Sequence, residues 1–148
     1  MNEIISLYII NFTGDLIFWQ ENVSQHAKKI DQEYLSNILS TLEMIASQIG
    51  EEEVKIIELG KISHFISKDN MTGISFVIRC EKGVKAKKIN QMLREIKNIF
   101  IAEFTGNFNA TQIEKVRIMK SFINSLFEII GEAKKVQYYI DGIKIVRK

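Results

Sequence analysis

The sequence contains no proline, a single cysteine and only two histidines among its 148 residues. The lone Cys80 excludes a framework of internal disulfides and fits a reducing compartment, so we expect a cytoplasmic protein. No stretch approaches the roughly 18 consecutive apolar residues that a transmembrane helix needs. The apolar N-terminal segment lacks a basic region and a small-residue cleavage site, which indicates a strand and not a signal peptide.

Motifs that carry chemistry are also missing. The chain has neither GxxxxGK[ST] nor GxGxxG, so binding of a nucleotide by a glycine loop has no support. His26 and His64 have no second metal-type ligand at useful local spacing, and Cys80 has no neighbouring CxxC. We therefore predict a non-enzymatic protein with no catalytic residue, no metal site and no bound cofactor.

The charges are nearly balanced, with 20 basic and 18 acidic residues, so the net charge of +2 does not indicate a nucleic-acid partner. Positive charge is concentrated in one place, the region Lys82–Lys97. This region is either the solvated face of a helix, which we favour, or a surface for phosphates or an anionic membrane. Peripheral membrane contact therefore stays open but is not favoured.

Two strands open the chain. The segment Ile4–Phe12 is apolar at nearly every position, which is typical of a strand in a sheet that is covered on both faces. The Thr13-Gly14-Asp15 turn leads into Leu16–Trp19, which we expect to pair antiparallel with the first strand. Further along, alternating apolar residues predict a meander of three strands over Val54–Leu59, Lys61–Ser67 and Ile74–Cys80. Because these strands are less apolar, we expect one face of this half to be only partly covered.

Three helices are predicted from apolar residues at helical spacing. The first spans 32–49 behind an N-cap at Asp31, and the second spans Lys85–Phe104. The third spans 112–130, opened by the capping box Thr111–Glu114 and ended by Gly131. Extra apolar residues beside its main stripe give the third helix more apolar surface than a one-sided helix requires.

The last segment has the pattern of a β-hairpin, since Val136–Ile140 and Ile143–Val146 flank Asp141-Gly142. Both strands are too apolar to stay free in water, and an isolated hairpin is marginally stable. We expect it to dock on the partly covered face near Phe65 and Val77, or across a subunit interface. The predicted organisation is a domain over 1–131 with a hairpin extension over 132–148.

The order strand-strand-helix-strand-strand-strand-helix-helix, from about Ile4 to Gly131, resembles the longin domain of the profilin-like superfamily, in which the roadblock domain is a close relative. Three local features are similar to the longin pattern: the Thr13-Gly14 turn, the Leu59–Ile62 bend, and the strand over 73–78 that leads into a Lys-rich helix. The resemblance implies an α+β fold with a five-stranded antiparallel sheet in the order 2-1-5-4-3. One helix would cover one face and two the other, and the C-terminal hairpin is an addition.

Longin domains occur in vesicle-trafficking adaptors, tethering-complex subunits and small-GTPase regulators, including prokaryotic homologues. The resemblance implies a dimerising scaffold or regulator for a small GTPase or a trafficking-like complex, whose partner is itself or a related longin or roadblock protein. We expect the second strand to be a sheet edge. Predicted partner-binding residues lie there and on the third helix: Phe18, Trp19, Ile118, Phe122 and Ile129.

The alternative is a small-molecule sensor domain of the PAS or GAF type. Such a sensor needs a cavity with convergent polar groups. The uninterrupted Ile, Leu and Phe stripes favour a filled core instead.

Overall fold

The structure is a computed structural model that describes residues 4–22, 55–104 and 110–147. These ranges contain seven strands and two helices: β1 Ile4–Ile10, β2 Leu16–Glu21, β3 Lys55–Leu59, β4 Ile62–Lys68, β5 Ser75–Glu81, α1 Ala86–Phe104, α2 Gln112–Ile130, β6 Lys135–Ile140 and β7 Ile143–Arg147. The helix predicted over 32–49 and its N-cap at Asp31 lie outside the described residues. Within these ranges, neither helix is long and apolar enough to cross a lipid bilayer.

All seven strands form one antiparallel sheet in the order β3-β4-β5-β1-β2-β6-β7. The predicted order of the first five strands is confirmed within it, whereas the predicted number of five strands is wrong because β6 and β7 extend the same sheet. The prediction that β2 is a sheet edge is wrong, because β6 pairs along it from Phe18–Tyr138 to Glu21–Lys135. Pairing satisfies the backbone N–H and C=O groups that an edge strand leaves open.

The C-terminal hairpin therefore lies in the plane of the sheet, and the expectation that it docks on a face near Phe65 and Val77 is wrong. Those two side chains are already buried, Phe65 beneath the helices and Val77 on the opposite face. The expectation that this half of the sheet is only partly covered is wrong for the same reason. Successive side chains of β4 and β5 are buried on both faces of the sheet.

Helices α1 and α2 pack together on one face of the sheet. The α1 side chains Ile89, Leu93, Ile96 and Phe100 form its buried stripe, at the spacing that brings successive turns to one side. Phe122 of α2 lies at the centre of this layer. Its ring packs edge-to-face against three other rings, those of Phe18, Phe100 and Phe104, at centroid distances of 5.6, 5.2 and 6.4 Å.

The boundaries of α2 follow from its capping residues. Thr111 is extended, and its hydroxyl accepts a hydrogen bond from the Glu114 N–H at 3.2 Å. At the other end, Gly131 has a φ of +88° and donates its N–H to the Phe127 carbonyl. Both predicted caps are confirmed. An ion pair of 2.8 Å between Lys115 and Asp141 links the first turn of α2 to the β6–β7 turn.

The face of the sheet opposite α1 and α2, the far face, carries a second apolar cluster. Its buried members come from four strands: Tyr8, Ile10, Trp19, Ile66 and Val77. Strand β1 therefore contributes buried side chains to both faces, as its continuous apolar sequence predicts.

Candidate functional site

A line of polar side chains crosses the far face on five adjacent strands. His64 lies opposite Arg79, Arg79 opposite Ser6, Ser6 opposite Glu21, and Glu21 opposite Lys135. Antiparallel partners project to the same face, so these five side chains form one continuous line, the polar row. Ser6, Glu21 and His64 are buried, and Arg79 and Lys135 are half-buried.

Trp19 joins the polar row to the apolar cluster. Its indole Nε1 donates a hydrogen bond to Glu21 Oε2 at 3.0 Å. The ammonium of Lys135 lies 5.1 Å from the indole centroid, within the range of a cation–π contact. On the other side, the ring of Tyr8 is nearly parallel to the indole, with an interplanar angle of 7° and centroids 6.5 Å apart. Trp19 therefore holds Glu21 and Lys135 in one arrangement.

Several polar atoms of this region are buried without a hydrogen-bond partner among the described residues. They are Glu21 Oε1 and Nε and Nη1 of Arg79, whereas the Tyr8 hydroxyl lies within hydrogen-bonding reach of Ser6 and Arg79. Buried polar groups are normally paired, because desolvation without a replacement hydrogen bond is unfavourable. The polar row therefore has hydrogen-bonding capacity that the described part of the fold does not use.

Burial changes the protonation of the row. Loss of hydration raises the pKa of the Glu21 carboxyl from its ordinary 4.5 to about 7, against the opposing effects of Trp19, Arg79 and Lys135. Desolvation raises the pKa of Tyr8 to about 12, and desolvation together with Arg79 lowers the pKa of His64. Near neutral pH, Tyr8 and His64 are therefore uncharged, and Glu21 changes its charge.

A carboxyl that titrates near neutral pH is a common feature of functional sites. Glu21 is only 2% exposed, however, so it can exchange a proton but does not present an acid or base to a substrate at the surface. In residues 4–22, 55–104 and 110–147, no three His, Cys, Asp or Glu side chains are grouped as a metal site requires. Cys80 is buried beneath the helices, with its Sγ 3.8 Å from the Ser63 carbonyl oxygen.

A second feature lies on the outer side of the helical layer. It is a depression of about 290 Å³ between α1 and α2, which we call the helix groove. Half-buried apolar side chains and charged side chains of both signs line it: Lys88, Gln91, Met92, Glu95, Glu128 and Ile129.

The structure separates the five predicted partner-binding residues. Phe18 and Phe122 are fully buried in the core, and Trp19 belongs to the far face. The sequence pattern predicts an open sheet edge at Phe18 and Trp19, but β6 pairs along this edge. Ile118 and Ile129 of α2 are half-buried, and Ile129 lines the helix groove. Partner binding by these five residues stays a prediction, and among them Ile118 and Ile129 have the appreciable solvent-exposed surface that binding requires.

The basic region Lys82–Lys97 is divided by the fold. Lys82 pairs with Glu58 of β3 at 3.5 Å, and half-buried Lys97 donates to the Ser67 hydroxyl at 3.3 Å. The exposed remainder is Lys85, Lys87, Lys88 and Arg94. This division agrees better with a solvated helix face than with one anion-binding cluster.

The polar row cannot be recognised in the sequence because its members are on five separate strands. Ser6 is short and uncharged in an apolar strand, and Arg79 occupies an alternating position like that of an ordinary exposed residue. The available signal is a polar side chain at a far-face position of each of these strands. It becomes visible only after the register of all the strands is known.

Neither a protein-family model nor a curated protein matches the sequence. Among solved structures, the chain is similar to Myxococcus xanthus MglB, with a TM-score of 0.48 and 16% identity over 67% of this chain and 85% of that one. It is also similar to a Roadblock/LC7 domain from Streptomyces avermitilis, with a TM-score of 0.46 and 11% identity over 67% and 87%. Neither structure is named as a longin domain. At this level, the two likenesses identify no function for the chain.

Proposed function

We propose that the chain is a non-enzymatic protein-interaction domain that dimerises and acts as a scaffold or regulator for a small GTPase or a trafficking-like complex. The observation that carries the proposal is the helix groove. It combines an apolar centre, formed by Met92 and Ile129, with a charged rim on the outer side of the molecule. This combination is typical of protein interfaces. The GTPase part rests on the resemblance of the element order to longin domains.

The charges of the helix groove suit pairing with a second copy. A two-fold dimer brings the same surface of each subunit together, so that surface must be complementary to itself. Lys88 on α1 and Glu128 on α2 provide opposite charges on either side of the groove. In a two-fold arrangement, the apolar centres can meet while rim charges of opposite sign from the two subunits face each other. Ile118, also on α2, offers a further half-buried apolar side chain.

Dimerisation is tested by light scattering and sedimentation at micromolar concentrations. The wild-type protein is expected to be a dimer, and Ile129→Glu is expected to be a monomer because it places a charge at the apolar centre. Ile113→Glu is the matched control, since Ile113 lies on the same helix, outside the groove, and is 74% exposed. A monomeric wild type, or equal behaviour of the two variants, contradicts the proposal.

The GTPase part is tested separately from dimerisation. Purified small GTPases from the source organism, loaded with GDP or with a non-hydrolysable GTP analogue, are titrated against the wild-type protein. Binding in only one nucleotide state is expected for a regulator. Absence of binding in both states, by a protein that still dimerises, overturns the GTPase part alone.

A further inference from the structure

We propose that β7, the outer strand of the C-terminal hairpin, accepts an extended acidic segment of a partner protein as an additional strand of the sheet. This surface is separate from the helix groove, so the inference does not depend on the proposed dimer.

The free edge of β7 is the first support. β7 lies at one end of the strand order, and β6 is its only neighbour among the described strands. Because the turn between them has two residues, Ile140 and Ile143 exchange backbone hydrogen bonds, and every second pair after them does the same. Ile145 therefore also directs its backbone groups to β6. The N–H and C=O groups of Lys144 and Val146 point away from the sheet, where another extended chain can pair with them.

The apolar side chains of β7 are the second support. Ile143 is 51% exposed on the face that carries the helices, where its neighbour Ile145 packs against the core. Val146 is 44% exposed on the far face, since it lies opposite Gln137 and Gln137 lies opposite Trp19. A helix that docked on one face would cover only one of these two exposed side chains. A strand added beside β7 provides cross-strand neighbours on both faces.

Charge determines which strand fits this edge. The sequence from 132 to 148 contains five basic and two acidic residues. Of the two acids, Asp141 is already paired with Lys115, whereas the exposed Lys144 has no partner among the described residues. Opposite charges on adjacent strands attract and like charges repel, so an acidic segment is favoured. A second copy of this chain would bring its own basic hairpin to the seam and is disfavoured. Lys144 thereby selects among extended partners.

The other edge of the described sheet, β3, provides an internal comparison. Ile56 on β3 is 45% exposed, so this edge also presents an apolar side chain. The exposed charged side chain there is Glu58, which is acidic and pairs with Lys82. An acidic segment therefore meets an unpaired opposite charge at β7 and a like charge at β3.

The test is a titration of the full chain with two short synthetic peptides, one in which Glu and Val alternate and one in which Lys and Val alternate. Beside β7, the alternation places Glu next to Lys144 and Val next to Ile143 and Ile145. The acidic peptide is expected to slow hydrogen exchange of the Lys144 and Val146 amides, which face outward. The Ile143 and Ile145 amides, already paired with β6, and the amides of β3 are expected to be unchanged. The basic peptide is expected not to bind.

A charge reversal tests the role of the lysine. Lys144→Glu is expected to weaken binding of the acidic peptide about fivefold, because it replaces a cross-strand attraction by a repulsion. Lys87→Glu is the matched control. It makes the same change of charge at an exposed position of α1 and should keep the wild-type affinity.

Binding of neither peptide, or equal binding of both, overturns the proposal. Slow exchange of the Lys144 and Val146 amides that depends on protein concentration without peptide also overturns it, because the occupant is then a second copy. Ile129→Glu changes the helix groove alone and is expected to bind the acidic peptide as the wild-type protein does. A failure of the proposed dimer and a failure of the β7 site are therefore recognised separately.

Discussion

Gly73 lies directly against the side chain of Phe12. A Cβ atom placed on Gly73 would be only 2.7 Å from Phe12 Cβ, and Gly73 has a φ of +73°. The contact holds the β4–β5 loop against the β1–β2 turn. It also leaves two large apolar side chains at this end of the sheet, with Phe12 70% and Met71 97% exposed.

Replacement of this glycine tests the contact. Gly73→Ala is expected to lower the free energy of unfolding by about 2–4 kcal/mol, because it combines backbone strain at positive φ with a clash that must move Phe12. Gly60→Ala is the control, since Gly60 has a φ of +64° and a Cβ atom placed on it would meet no described atom within 4 Å. Gly60→Ala should lower the free energy of unfolding by about 1 kcal/mol, from strain alone. Equal losses in urea unfolding would show that the Phe12 contact is unimportant.

The central ring of the helical layer gives a second prediction. Phe122→Ala removes contacts with Phe18, Phe100 and Phe104 and leaves a cavity in the core. We expect a loss of about 3–5 kcal/mol in the free energy of unfolding. Ile113→Ala, at an exposed position of the same helix, should change it by no more than about 0.5 kcal/mol. A small effect of Phe122→Ala in chemical denaturation would mean that the ring is not part of the packed core.

The N-cap of α2 is tested by a change that removes the hydroxyl acceptor. Thr111→Ala deletes the oxygen that accepts from the Glu114 N–H, and the expected loss is about 1 kcal/mol. Thr111→Ser keeps that oxygen and should retain nearly all of the stability. Thermal unfolding of the three proteins measures the difference. If the serine variant loses as much as the alanine variant, the hydrogen bond is not the source of the effect.

Deletion of residues 132–148 tests whether the hairpin is part of the folded unit. The deletion removes the strand that pairs with β2 and takes away Val136, Tyr138 and Ile140, which are buried beside the helices. The truncated protein is expected to have a lower melting temperature or a changed oligomeric state, because it regains an open apolar edge. Calorimetry and light scattering measure the two quantities. If both stay unchanged, the hairpin does not contribute to the fold.

Local patterns in the sequence predict the elements well, because their causes are local. Alternating and helical apolar spacing places α1 within one residue of its observed start at Ala86, and the predicted caps of α2 are confirmed at Thr111 and Gly131. The Asp141-Gly142 pair predicts the last hairpin because both residues adopt the positive φ of its turn.

Pairing between distant strands could not be predicted in the same way. The sequence does not indicate that β6 lies beside β2, so its pattern predicts an open edge at Phe18, which is instead buried beneath the helices. The polar row depends on the same information. Ser6 and Glu21 become neighbours of Arg79 and Lys135 only through the register of three pairs of strands.

The place of β2 between β1 and β6 also affects how the chain folds during its synthesis. On the ribosome, β2 can pair with β1 as soon as both have emerged, but its other neighbour comes more than a hundred residues later. Throughout that interval, the outer edge of β2 is an open template that can pair with a neighbouring nascent chain. Slower translation of the segment between the two strands would lengthen this exposure. The strand that is enclosed in the finished sheet thus spends a long part of synthesis with one edge unpaired.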